Sequence, residues 1–262
     1  MNKNIAKLLV AVVVAIAFIP SFGSSINSEK TSSTHTVMAE LGAVSWCPHC
    51  PIASQEIYKI FNSSNHDFYY VTLVYDKNPL ALKRGRWLSD AYIPILYLDG
   101  GYKVVDSPSN FEAEITNAEN RNVHDVSINV SGKWEGNAKI EVTVKIENNG
   151  GKAYFGHLRV YVTEINSRWN DEKGLPFHYA FLDFAINNYV FVGGGKTKEI
   201  KATWDGGAMH GNQTFGDIKE GNIMLVASIS YWMPFIQNNP WDKPKPTHFI
   251  AQFVDDTDAA KV

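Results

Sequence analysis

Cys47 and Cys50 are the only two cysteines in the 262 residues, and they stand in the run Trp46-Cys47-Pro48-His49-Cys50. Thiols at i and i+3 lie one helical turn apart, which meets the roughly 4.4–6.8 Å Cα separation that a disulfide needs. An apolar run over residues 37–44 precedes them, and a helix-period segment over residues 51–61 follows. Strand, Cys-x-x-Cys, helix is the order in which this short motif points to redox chemistry. Cys47 is expected at the helix N-cap, where unpaired amides and the positive end of the helix dipole stabilise a thiolate. That lowers its pKa and makes it the nucleophile. Cys50, one turn further in, is expected to be more buried and to act as the resolving thiol. Pro48 and Pro51 lack an N–H where first-turn donors are unpaired anyway, so the helix tolerates both. His49 can offer a hydrogen bond or partial positive charge to the Cys47 thiolate, which would make the disulfide a stronger oxidant.

These residues carry a family likeness. Trp46-Cys47-Pro48-His49-Cys50 resembles the active site of the thioredoxin superfamily, and its Pro-His pair is similar to that of the DsbA-type periplasmic oxidants. A second stretch, Tyr92-Ile93-Pro94-Ile95-Leu96-Tyr97-Leu98-Asp99-Gly100-Gly101, resembles the family's cis-proline strand and the hairpin turn after it. The resemblance implies a thioredoxin-like α/β domain over residues 37–122, a redox-active Cys47–Cys50 disulfide, and a cis bond at Pro94 facing the sulfurs. It also implies a groove lined by Trp46 and Pro94, with substrate backbone pairing beside Ile93-Pro94. One position departs from the pattern. Leu41 stands six residues before Cys47, where the family often has a buried carboxylate, and Glu40 points to the opposite face of the strand.

The elements that must hold the motif follow in order. Strands are expected over residues 37–44 and 68–75, with helices over 47–61 and 79–90. Residues 93–98 form the proline strand, and residues 102–106 its hairpin partner. A last helix spans residues 109–121, with Ser109 as cap and Glu112 three residues on. From Val123 the texture changes to period-2 alternation. Seven strands are expected over 126–130, 139–147, 158–165, 179–185, 198–204, 223–231 and 249–254, with turns at Ser131-Gly132, 148–151, 193–195 and 205–207. This predicts an immunoglobulin-like β-sandwich over residues 123–262, without a disulfide between its sheets. The order of the two halves is also similar in architecture to exported proteins often described as outer-membrane proteins. Residues 234–246 read as a long loop, whose Phe235 and Trp241 seal the sandwich end or the domain interface rather than cover the cysteines.

Composition bounds the rest. The chain is 45% hydrophobic and 19% charged, enough apolar material for a core. A net charge of −3 with no basic patch excludes a nucleic-acid footprint. Lys3 and Lys7 precede an apolar run over residues 8–19, and Ser21-Phe22-Gly23 supplies small residues for cleavage. The run is shorter than the ~20 residues of a membrane span. It reads as a secretory signal over residues 1–23, with an uncleaved anchor as the alternative and no cysteine nearby for a lipid. A polar Ser/Thr-rich linker over residues 24–36 follows. Export permits disulfides. Two cysteines confined to one motif argue for reactivity, since an inert two-residue loop would stabilise little.

Asn62, Asn129 and Asn212 fit the N-glycosylation pattern. Eight histidines show no tight metal spacing, so neither a metal nor another cofactor is expected. The reading is an exported thiol–disulfide oxidoreductase that acts on protein thiols or disulfides and on a redox partner. The rival is a surface adhesion or assembly protein whose sandwich binds partners while the redox half stays closed as a scaffold.

Overall fold

Strand β1 (Val37–Ala43) is buried along its whole length, as an unbroken apolar run between two layers requires. It pairs in parallel with β2 (Phe68–Val74) and antiparallel with β3 (Ile95–Leu98). Helix α1 (Cys50–Ser63) joins β1 to β2, and α2 (Pro79–Trp87) lies between β2 and β3. β4 (Lys103–Val105) returns along β3. Asp99, Gly100 and Gly101, all at positive φ, make the turn, and glycine bears that conformation without strain. A 3-10 turn, Pro108–Asn110, leads into α3 (Phe111–Glu119). Val37, Ala39 and Leu41 pack with Ile57, Ile60, Phe111 and Ile115. Met38 belongs to a separate cluster with Ala81 and Leu88. This computed structural model describes residues 34–89, 92–239, 241 and 247–262. The expected signal over 1–23, the linker as far as residue 33, and residues 240 and 242–246 of the long loop lie outside those.

The second half contributes β5 (Val126–Gly136), β6 (Lys139–Asn148), β7 (Tyr154–Asn170), β8 (Pro176–Val192), β9 (Lys196–Asp205), β10 (Ile223–Tyr231), β11 (Phe235–Asn239), β12 (Thr247–Ala251) and β13 (Val254–Lys261). β5, β6 and β9 form a three-stranded sheet, and β11 pairs with β12. Alternating residues of β5 and β6, among them Ile128, Ile140, Val142 and Val144, pack against Leu158, Val160, Leu225 and Ile229. Burying such side chains contributes roughly 1.5–3 kcal/mol each.

A separate immunoglobulin-like sandwich is not what these strands build. One mixed sheet of eight strands, in the order β13-β10-β7-β8-β2-β1-β3-β4, runs through both halves. The seam is β2 beside β8, parallel, with Thr72 opposite Ala180, and Thr72 Oγ1 donates to the His178 carbonyl at 2.8 Å. The fold class is therefore mostly β, with three α-helices among the described residues, and the expected α/β domain followed by an independent sandwich is corrected. The physical reason is that β2 would otherwise present a bare edge, and β8 covers it.

Asn78 fastens that seam. Its Oδ1 caps α2 by accepting from the Leu80 amide at 2.9 Å. Its Nδ2 donates to the carbonyls of Phe181 and Leu182 in β8, both at 2.8 Å. Loss of a cap costs about 1 kcal/mol, and a buried polar group left unsatisfied costs about 1–3 kcal/mol. Asn78→Ala is expected to lower stability by roughly 2–4 kcal/mol, read from the urea midpoint. A change below about 0.5 kcal/mol would show that the seam holds without it.

Several local expectations also shift. α1 starts at Cys50 with His49 as N-cap, not at Cys47. α3 starts at Phe111 with Asn110 at its cap and no side-chain cap bond, so Ser109 is not the cap; the Pro108 turn displaces it. β5 runs straight through Ser131-Gly132, and the reversal comes at Asn137 and Ala138, both at positive φ. The single strand expected over 249–254 is two, β12 and β13. Part of the expected loop is strand β11.

Candidate functional site

The chain leaves β1 at Ala43 and turns at Ser45-Trp46 into Cys47. Asp76, just past β2, fixes this turn: its carboxylate accepts from the Ser45 amide at 2.9 Å and the Ser45 hydroxyl at 2.5 Å. Cys47 and Cys50 are joined as a disulfide with Cα atoms 5.4 Å apart. The Cys50 amide, first in α1, donates to Cys47 Sγ at 3.0 Å. Although Cys47 is not itself the cap residue, its sulfur receives a helix-terminal amide. The first turn of α1 holds no acidic side chain to compete for that positive end. Pro51 takes a first-turn place where no amide is needed.

Exposure is uneven across the motif. Trp46 is 69% exposed, whereas Cys47 is 5% and Cys50 0% exposed. Pro48 and His49 are exposed. No hydrogen bond or ion pair from the His49 ring is seen among the described residues, so in this disulfide form it does not hold Cys47. The Ile93–Pro94 peptide is cis, and Pro94 is buried. Ile93 packs against the same apolar cluster that contains Cys47 and Cys50, together with Val44, Tyr75 and Leu88.

Residues that the sequence did not single out position this cluster. A Cβ on Gly42 of β1 would lie 2.3 Å from the Tyr75 side chain, and one on Gly85 of α2 would lie 2.4 Å from it. The ring therefore fills a slot between strand and helix that only glycine leaves open, at a helix cost of about 1 kcal/mol for Gly85. The Ser89 carbonyl accepts from Tyr97 Oη at 2.5 Å and from Asn239 Nδ2 at 3.0 Å, which fixes backbone shortly before Ile93. Trp241 is half-buried and donates from Nε1 to the Val104 carbonyl at 3.0 Å, while Phe235 stacks on Phe253. The one sequence signal for this set was the glycine in the middle of a helical stretch.

Glu40 is fully buried, on the face of β1 opposite Leu41. It forms a two-pronged ion pair with Arg84 at 2.7 Å on both arms, and Tyr161 Oη donates to it at 2.9 Å. Glu40 and its hydroxyl partner hold the Arg84 guanidinium charged despite its burial. Asn62, Asn129 and Asn212 are all exposed. Asn62 Nδ2 is engaged by the Tyr58 carbonyl at 2.8 Å and Asn129 Nδ2 by Asp258 at 3.2 Å. No group of three or more His, Cys, Asp or Glu side chains suited to a metal is present among the described residues. No described helix is long and apolar enough to cross a membrane.

No protein-family model matches the chain, and no curated protein matches its sequence. Among solved structures, a structural-genomics protein from Agrobacterium tumefaciens is 14% identical, with a TM-score of 0.45 over 87% of this chain and 95% of its own. A domain of the outer membrane lipoprotein Omp28 from Porphyromonas gingivalis is 15% identical, with a TM-score of 0.28, over 54% of this chain and 90% of that domain. A β-glucosidase from Kluyveromyces marxianus is 14% identical, with a TM-score of 0.29, over 53% of this chain and 13% of the glucosidase.

Proposed function

We propose that the chain is an exported thiol–disulfide oxidoreductase that resembles the thioredoxin superfamily in its Cys47–Cys50 centre. The observation that carries the reading is the joined pair at the mouth of α1, with the Cys50 amide directed at Cys47 Sγ. A substrate thiolate attacks Cys47 Sγ, the Cys47–Cys50 bond breaks, and Cys50 leaves as a thiolate. A second substrate thiolate then attacks the substrate sulfur of the mixed disulfide and releases Cys47. The substrate loses two electrons and the protein gains them, to be passed to a redox partner. Export is supported by the charged and apolar start of the sequence ahead of Gly23.

A second reading rests on the near-complete burial of both sulfurs. The disulfide would then stay closed inside a scaffold, and the β-rich surface would serve adhesion or assembly. Equilibration with glutathione buffers followed by alkylation separates the two. The oxidoreductase reading expects a potential above about −300 mV and Cys47 labelled first after mild reduction. A lower potential, with both thiols sealed until denaturant is added, overturns it in favour of the scaffold.

A further inference from the structure

On the α2 face of the large sheet lies a cavity of about 770 Å³, within the roughly 300–1,000 Å³ range of small-molecule sites. Arg159 of β7 lines it and is only 7% exposed. A guanidinium taken out of water normally has a carboxylate paired with it, yet no ion pair to Arg159 is seen among the described residues; Glu40, already bound to Arg84, acts on it only at longer range. Its partners are neutral: Gln252 Oε1 at 2.6 Å, His157 Nδ1 at 3.0 Å and Ser230 Oγ at 3.5 Å. These leave part of its five-donor fork unused.

The surrounding charges do not cancel it. Arg84 also lines the cavity, but Glu40 neutralises it from behind. Asp183 is engaged by His210 at 2.6 Å. Burial and the nearby Arg84 pull Arg159 down to about 10, so it remains cationic at neutral pH. Burial and Arg159 pull His157 down to about 4, so that ring is neutral and adds polarity without charge. Aromatic rings form much of the remaining wall, beside Leu80, Ile250 and the exposed Lys83. Tyr189, Trp232 and Trp87 line the cavity and stay largely exposed, and Tyr189 stacks on His157 with centroids 4.5 Å apart.

We propose that this cavity binds a small organic carboxylate with a flat apolar body, its carboxylate on Arg159 and its body against Tyr189 and Trp232. With Nη2 engaged by Gln252 and His157, the guanidinium offers a carboxylate its positive charge and the remaining N–H donors of Nε and Nη1, as charge-assisted hydrogen bonds stronger than neutral ones. Lys83 and Asp183 also line the cavity and carry opposite charges, so the net excess is one positive charge, which suits a monoanion better than a phosphate dianion, and the aromatic walls favour a planar group. The shared chemistry has two sources, a free aryl carboxylate or the C-terminal carboxylate of a peptide ending in an aromatic residue. The site stands independently of the chemistry at Cys47.

The test uses the full chain, with calorimetric titration and tryptophan fluorescence as readouts. The probes are indole-3-acetate, its primary amide, a tripeptide ending in phenylalanine, and that tripeptide amidated at its C-terminus. Saturable binding of either acid, with the matching amide roughly 10- to 150-fold weaker, is the result expected from loss of a charge-assisted pair. Preference for indole-3-acetate identifies a free-acid site, and preference for the tripeptide identifies a C-terminus site. Arg159→Gln should weaken the acid and leave the amide unchanged. Tyr189→Ala, on the exposed wall, should weaken both while keeping the fold. No binding by either acid up to its solubility, or equal binding of acid and amide, overturns the proposal.

Discussion

Under the proposed oxidoreductase function, Cys47→Ser is expected to bring catalysed thiol–disulfide exchange down to the uncatalysed background, while Cys50→Ser is expected to accumulate mixed disulfides with substrate on Cys47. The asymmetry follows from the geometry. The Cys47 sulfur accepts the first helical amide and is the less buried of the two. On the proposed function it is therefore the sulfur that a substrate is expected to reach and the thiolate that the helix end is expected to stabilise. Serine at position 47 can accept the same amide, so the turn survives and the loss reports chemistry rather than unfolding. With a substrate disulfide, which the Cys47 thiolate attacks in the reverse of the proposed steps, serine at position 50 removes the thiol that displaces the substrate from Cys47, and the covalent product persists long enough to be isolated on a non-reducing gel. Retained turnover by Cys47→Ser on a model protein disulfide would mean that the sulfurs are not the working groups.

What the sequence could and could not reveal divides along chain separation. The Cys-x-x-Cys pair, the strand before it and the helix after it lie within about thirty residues, and the turn chemistry that links them is local. The helix start slipped by three residues, with His49 rather than Cys47 as the cap residue, and its end runs to Ser63 instead of 61. The large sheet was not legible as one body. Its backbone seam is a single residue pairing, reinforced by the Thr72 hydroxyl and one buried asparagine, and all of their partners in β8 lie more than a hundred positions away. Period-2 alternation in residues 176–192 reads the same whether the strand ends a sandwich sheet or continues into a neighbouring one. β7 and β8 each run for 17 residues, well past the expected spans. Register shifts at Val160/Tyr161 and Val162/Thr163 let such long strands bend. β13 escaped notice because Val254–Lys261 is acidic. Asp256 and Asp258 direct their carboxylates to the neighbouring three-stranded sheet, accepting from the Ile128 and Val130 amides of β5 at 2.9 and 2.7 Å. They thereby satisfy an edge that would otherwise stand open.

Glu40→Ala is expected to lower stability by about 3–5 kcal/mol, the usual cost of removing one partner from a buried ion pair. For a chain of this size that corresponds to roughly 6–20 °C in Tm. The loss is more than a hydrogen bond. Glu40 sits at the centre of three elements: its own β1, α2 through Arg84, and β7 through Tyr161. Without it the Arg84 guanidinium keeps its charge and its burial, beside a second buried cation at Arg159. Two positive charges then face one another in a medium of low dielectric, which adds repulsion to desolvation. Glu40→Gln keeps the shape and an acceptor for Tyr161 but not the charge, so it should fall between the wild type and alanine. Double replacement with Arg84→Met removes the stranded cation, and most of the stability should return. If Glu40→Ala unfolds at the wild-type urea midpoint, the pair does not hold α2 to the sheet. If the double variant is no better than the single, the cost lies in packing rather than charge.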